Sequence, residues 1–182
     1  DLPDVIKEVL RALPMQKVAE VLRRLVAEEV SIRNLRDILE ALAEAGQREK
    51  DVQALAEFAR IALKRQISHR VADKDGRLKA ILLRPEVEDL VRQAVRTTAG
   101  VTQLALETEV SQALVASIRN LVDRHQPHAV VTSVDVRWHL RRLIEPDCFD
   151  VPVLSFHELA ASLRVEVIEH VGMPNSSLLE AA

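Results

Sequence analysis

The 182-residue chain has no tyrosine, one tryptophan, three phenylalanines, four glycines and one cysteine. Aromatics at 2% are too few for the stacking platforms that bind single-stranded nucleic acid. The balance of 25 Lys and Arg against 28 Asp and Glu leaves a net charge of -3, which supplies no basic field for a phosphate backbone. Gly46, Gly76, Gly100 and Gly172 are too scattered to build a phosphate-cradling loop between a strand and a helix. Cys148 alone cannot close an intramolecular disulfide, which fits a reducing, cytoplasmic compartment. No apolar run approaches the ~18 to 20 residues of a membrane span. The start, Asp1-Leu2-Pro3-Asp4, lacks the basic and apolar regions of a signal peptide. A start in mid-pattern without Met is expected of an excised domain, and equally of a processed or trimmed one.

What is present falls into two halves with different periods. From Leu2 to about Gln66 apolar residues recur at helical spacing: Val18, Val21, Leu22, Leu25 and Val26, then Ile32, Leu35, Ile38, Leu39 and Leu42, then Val52, Leu55, Ala59, Ala62 and Leu63. Pro3 and Pro14 mark helix starts, Ser31 is the expected N-cap of the third helix, and Gly46 its expected stop. Beyond Ser68, strand-like runs at Lys79 to Leu83, Val101 to Leu106, Ala129 to Thr132 and Arg164 to His170 alternate with helical runs at Pro85 to Val95, Glu107 to His125 and Val134 to Ile144. The expected fold class is α+β. An all-helical subdomain of about four helices spans residues 1–67, a linker with the turn signal "DKDG" spans 68–78, and a small α/β subdomain with a mixed sheet and a C-terminal tail spans 79–182.

No catalytic, cofactor or metal constellation stands out. His125 and His128 flank a proline without a third ligand. Cys148 with His139 or His157 could be drawn as nucleophile and base, yet Asp147 and Asp150 beside the thiol disfavour the thiolate that such chemistry needs. A small thiol or histidine enzyme is therefore one alternative reading. In "VDVRWHLRRLIE", Val136, Leu140, Leu143 and Ile144 share one helical face and Trp138 points nearly opposite, so Arg137, Trp138, Arg141 and Arg142 form a possible partner patch. A nucleic-acid adaptor working through those four residues is the other alternative, against the charge balance.

Five segments, "LPMQKVAEVLRRLVAEEVSIRNLRDILEALAEAGQREKDV", "ALKRQISHR", "AILLRPEVEDLVRQAV", "VVTSVDVRWHLRRLIE" and "DVPVLSFHEL", occur in that order over nearly the whole chain. Together they resemble the C-terminal cytoplasmic region of the export-gate family of type III secretion systems, nearer its injectisome branch than its flagellar one. The resemblance implies the third, helical subdomain and the fourth, α/β subdomain of that region, at the cytoplasmic face of the bacterial inner membrane. It implies a non-enzymatic part of a ring, of roughly nine copies, that docks other export-apparatus proteins, chaperones and substrates. Membrane contact would come only through a region N-terminal to this chain. The candidate ring contact is the polar side and exit of the third helix: Arg33, Arg36, Asp37, Glu40, Arg48, Glu49 and Lys50. Within one copy, Arg33 with Asp37 and Arg36 with Glu40 are also spaced to pair along the helix, worth about 0.2 to 0.5 kcal/mol each.

Overall fold

A computed structural model describes residues 1 to 173. The expected tail from Pro174 onward lies outside the described residues. The described residues divide into two compact units: Asp1–Arg70 with His157–Ala160, and Val71–Phe156 with residues 161–173.

The first unit holds α1 (Leu2–Ala12), α2 (Met15–Ala27), α3 (Leu35–Ala45), α4 (Val52–Ala62) and α5 (Lys64–Val71). Val9 and Leu13, Val21 and Leu25, Ile38 and Leu42, Leu55 and Ala59, then Leu63 and Ile67 recur at i,i+4 spacing and are buried, so each helix contributes one stripe to a common core. Four helices become five because the chain turns at Leu63 and resumes directly as α5. That helix absorbs Ser68 to Val71, and Arg77 and Leu78 open the first strand, so the expected linker contracts to the few residues around the DKDG turn. There Asp73 accepts hydrogen bonds from the backbone N–H groups of Asp75 (2.8 Å) and Arg77 (3.0 Å), and Gly76 takes φ +75°.

One boundary of α3 corrects the expectation and the other meets it in a different conformation. α3 starts at Leu35 with Asn34 as its N-cap residue, while the Ser31 hydroxyl accepts only from the N–H of Arg33, at 3.3 Å, in the approach to the helix. Gly46 ends α3 as expected, but with φ −64° rather than a left-handed angle. A Cβ there would lie 2.7 Å from Leu13 Cγ and 2.7 Å from the Leu42 carbonyl, so close packing of α1 on α3 is what requires glycine.

The second unit contains β1 (Arg77–Leu83), α6 (Pro85–Gln93), β2 (Val95–Thr98), β3 (Val101–Leu104), α7 (Thr108–His125), β4 (Ala129–Thr132), α8 (Val134–Ile144), β5 (Val153–Ser155), the short 3-10 turn Phe156–Glu158 and β6 (Arg164–Val171). Parallel and antiparallel pairing are both present, divided between two sheets. The main sheet runs β5-β4-β1-β6, all parallel. β2 and β3 form a separate antiparallel hairpin, turned by Ala99 and Gly100, both at positive φ. Register sets Ile81, Val130 and Val153 side by side across the main sheet, and this row packs with Val87 and Val91 of α6, Leu114 and Ile118 of α7, and Val136, Leu140 and Ile144 of α8.

Candidate subunit interface

The turn from α3 to α4 carries four consecutive charges, Arg48 to Asp51, and three of them are engaged within the first unit. The Glu49 carboxylate accepts from the N–H groups of Lys50 (3.0 Å) and Asp51 (2.9 Å). Asp51 caps α4 by accepting from the N–H of Ala54 at 3.0 Å. Lys50 folds back so that its ammonium donates to the carbonyl of Ala12 at 2.6 Å and to that of Gly46, at the C-terminal ends of α1 and α3. A cation there meets carbonyls that lack helical partners and the negative end of both helix dipoles. Glu49 and Lys50 are thus parts of the turn itself, whereas the exposed side chain of Arg48 has no hydrogen bond or ion pair among the described contacts.

Along α3, Arg36 and Glu40 are exposed and paired at 2.8 Å, and that carboxylate holds the Arg36 guanidinium above its ordinary pKa. Arg33 lies before the N-cap, outside the helix, and none of the described ion pairs joins it to Asp37, so the expected pair along the helix is absent. Arg33 and Asp37 are exposed.

On the other side of α3 a groove of about 470 Å³ opens towards α4, floored by Ala41, Ala45, Phe58, Ile61 and Ala62 and edged by Glu44, Arg48 and Glu49. Phe58 is 48% exposed. The groove was not read from the sequence, although one signal existed: Phe58 falls off the stripe formed by Leu55, Ala59 and Leu63, and a phenylalanine off the buried stripe of a short helix is an exposed apolar anchor.

A family model described as the FHIPEP family matches residues 1–164. The chain belongs to the FHIPEP family. Among curated relatives, the low calcium response locus protein D of Yersinia pestis is 40% identical over 172 residues, covering 92% of this chain and 24% of its own length. The solved CdsV protein of Chlamydia pneumoniae superposes with a TM-score of 0.88 at 36% identity, covering 94% of this chain and 50% of that one, and CdsV has also been solved in complex with CdsO. The nonameric EPEC SctV-C structure superposes with a TM-score of 0.87 at 32% identity, covering 94% of this chain and 52% of that one. The chain spans about a quarter of the length of the curated relatives it matches. The resemblance read from the five segments is borne out.

In this FHIPEP chain the second candidate patch does not form one surface. Arg137 is 1% exposed and donates to the carbonyl of Val153 at 3.1 Å; Arg141 is buried and donates to the carbonyls of Phe149 (2.9 Å) and Val151 (3.0 Å). β5 is an edge of the main sheet, and these guanidinium groups satisfy carbonyls on and just before it that no further strand reaches. Only Trp138, half-buried, and Arg142, exposed with its guanidinium 5.8 Å above the indole, reach the surface. The nucleic-acid reading therefore loses two of its four residues to the interior.

The thiol reading fares no better. Cys148 is buried, and burial, then the carboxylates of Asp147 and Asp123, push its thiol above the ordinary range, the opposite of an activated nucleophile. His157 belongs to the other unit. His128 is committed to structure, its Nδ1 accepting from the N–H of Lys79 at 2.9 Å.

Proposed function

We propose that this chain is part of the ring-forming cytoplasmic portion of a type III secretion export gate, acting by docking other proteins rather than by covalent chemistry. The observation that carries the reading is the FHIPEP match over residues 1–164 together with superposition, at 0.87, on a nonameric relative. In this reading residues 1–70 and the α/β part are the third and fourth subdomains of the cytoplasmic region, at the inner-membrane face. The CdsV–CdsO complex supports a second role, receiving another export-apparatus protein. Chaperones and export substrates are the further partners implied.

The test uses the full-length protein. Cells lacking it should stop exporting the substrates of their secretion system and regain export on re-expression; undiminished export without it overturns the reading. Arg33, Arg36, Asp37, Glu40 and Arg48 remain proposed as polar contacts to the neighbouring copy. Arg48→Glu in the full-length protein should lower the yield of rings seen by electron microscopy while leaving the melting temperature unchanged.

A further inference from the structure

We propose that the helical unit is folded only while the main sheet is formed, and that His157–Ala160 are the clasp through which it depends on that sheet.

The chain passes from one unit to the other at Arg70–Val71, inside α5, and again at Phe156–His157 and Ala160–Ala161. Domains that open independently are ordinarily joined through exposed linkers crossed by few contacts. His157–Ala160 are the opposite of such a linker, because they belong to the helical unit while the residues on either side of them do not.

Both ends of the crossing are fixed to the sheet. Ser155, the last residue of β5, stands opposite Thr132 of β4. Arg164, the first residue of β6, stands opposite Arg77 of β1, and its N–H donates to the carbonyl of Gly76 at 2.9 Å. β5 and β6 are the two edges of the sheet, three strand spacings apart, or roughly 14 Å. Parallel strands are usually joined by about a dozen residues or more, most often as a helix. Residues 156–163 make the crossing with fewer, and the 3-10 turn Phe156–Glu158 is their only helical element. The position of this short segment is therefore set by the sheet, and it is kept only while β5, β4, β1 and β6 stay paired.

The middle of the crossing is held by helical side chains. The Glu158 carboxylate, fully buried, accepts from Nε and Nη2 of Arg60 on α4. On α5 the Ser68 hydroxyl donates to the Glu158 carbonyl and accepts from the N–H of Ala160. Arg60 and Ser68 are each 3% exposed. When the sheet opens, the segment leaves, a buried guanidinium loses its hydrogen-bonded carboxylate and a buried hydroxyl loses both partners. That penalty is comparable with the whole stability of a unit of about seventy residues. A protein that binds and stabilises the sheet consequently stabilises α1 to α5 with it.

Hydrogen exchange, read peptide by peptide in the 182-residue chain along a urea series, tests the clasp. Ile118→Ala opens a cavity in the core of the second unit and should lower the protection of β1 and β4 by roughly thirtyfold or more. In that variant α2 and α4 should lose protection at the same urea concentration as β1 and β4, or at a lower one. Helices that stay protected after the sheet has opened overturn the proposal. Ser68→Ala combined with Glu158→Gln removes the clasping bonds with little change of volume, and should lower the protection of α2 and α4 by about tenfold or more. Unchanged protection of those helices in the double variant overturns the clasp as well.

Discussion

Lys50 shows how a surface charge acquires a role from its surroundings. With an exposed stem and an ammonium on two helix-terminal carbonyls, it ties the end of α1 to the end of α3. Lys50→Met keeps the stem and removes those bonds, and is expected to destabilise the protein by about 1 kcal/mol in urea unfolding; reversing its charge disturbs the fold along with any ring contact. Arg60 is the interior counterpart. It is 3% exposed and donates from Nε (2.9 Å) and Nη2 (2.6 Å) to the fully buried Glu158, with Glu28 at 3.8 Å from Nη1. Ser68 fixes the same segment, donating to the Glu158 carbonyl and accepting from the N–H of Ala160, both at 2.9 Å. Arg60→Ala strips this cation from a buried carboxylate and should cost about 3 to 5 kcal/mol in the same assay. Neither role is visible in the sequence, since Ala12 lies 38 positions from Lys50 and Glu158 lies 98 from Arg60.

At the scale of elements, the helices and strands with clear periodicity stand where the sequence put them: β4 at Ala129–Thr132 and α8 at Val134–Ile144 agree to the residue. Besides α5, the strands not foreseen are β2, with one partly buried and three exposed residues, and β5, which is three residues long. Neither is long enough to show a period. α2 also stops without glycine: Glu29 takes φ 60°, and the N–H groups of Glu29 and Val30 return to the carbonyls of Val26 and Leu25, with Val30 buried.

Salt bridges link elements as well. Arg92 of α6 donates from Nε to Asp135 in the first turn of α8 at 2.5 Å, and from Nη2 to the Ser133 hydroxyl at 3.1 Å. That guanidinium first, then the Ser133 hydrogen bond, holds the Asp135 carboxyl below its ordinary pKa. Because the folded value is lowered, the pair stabilises the fold fully above the ordinary aspartate pKa and loses its contribution as pH falls through the lowered one. Arg92→Gln should therefore reduce the melting temperature near neutrality and converge on the parent protein at strongly acidic pH; a deficit that does not shrink on acidification would count against the pairing.

For the whole molecule, assembly is the property to test. The described residues contain no helix long and apolar enough to cross a membrane, and the chain covers about half of the solved relatives it superposes on. Light scattering across micromolar concentrations should find this 182-residue piece mostly monomeric. A stable nonamer would mean that residues 1–182 suffice for assembly without the rest of the cytoplasmic region.

The sequence by itself determined the family, through five ordered segments, and the class of fold, because hydrophobic period changes from helical to strand-like near Ser68. It also bounded the chemistry: a balanced charge, few glycines and a thiol among acids. Only tertiary structure decided which charges are surface and which are frame. Arg137 and Arg141 read as a patch and serve as edge caps of the sheet; Glu49 and Lys50 read as contacts and close a turn; Phe58, outside the apolar stripe read from the sequence, lines a groove. The physical reason is range. Periodicity reports which face a residue occupies on its own element, whereas burial and hydrogen bonding depend on what another part of the chain brings against that face.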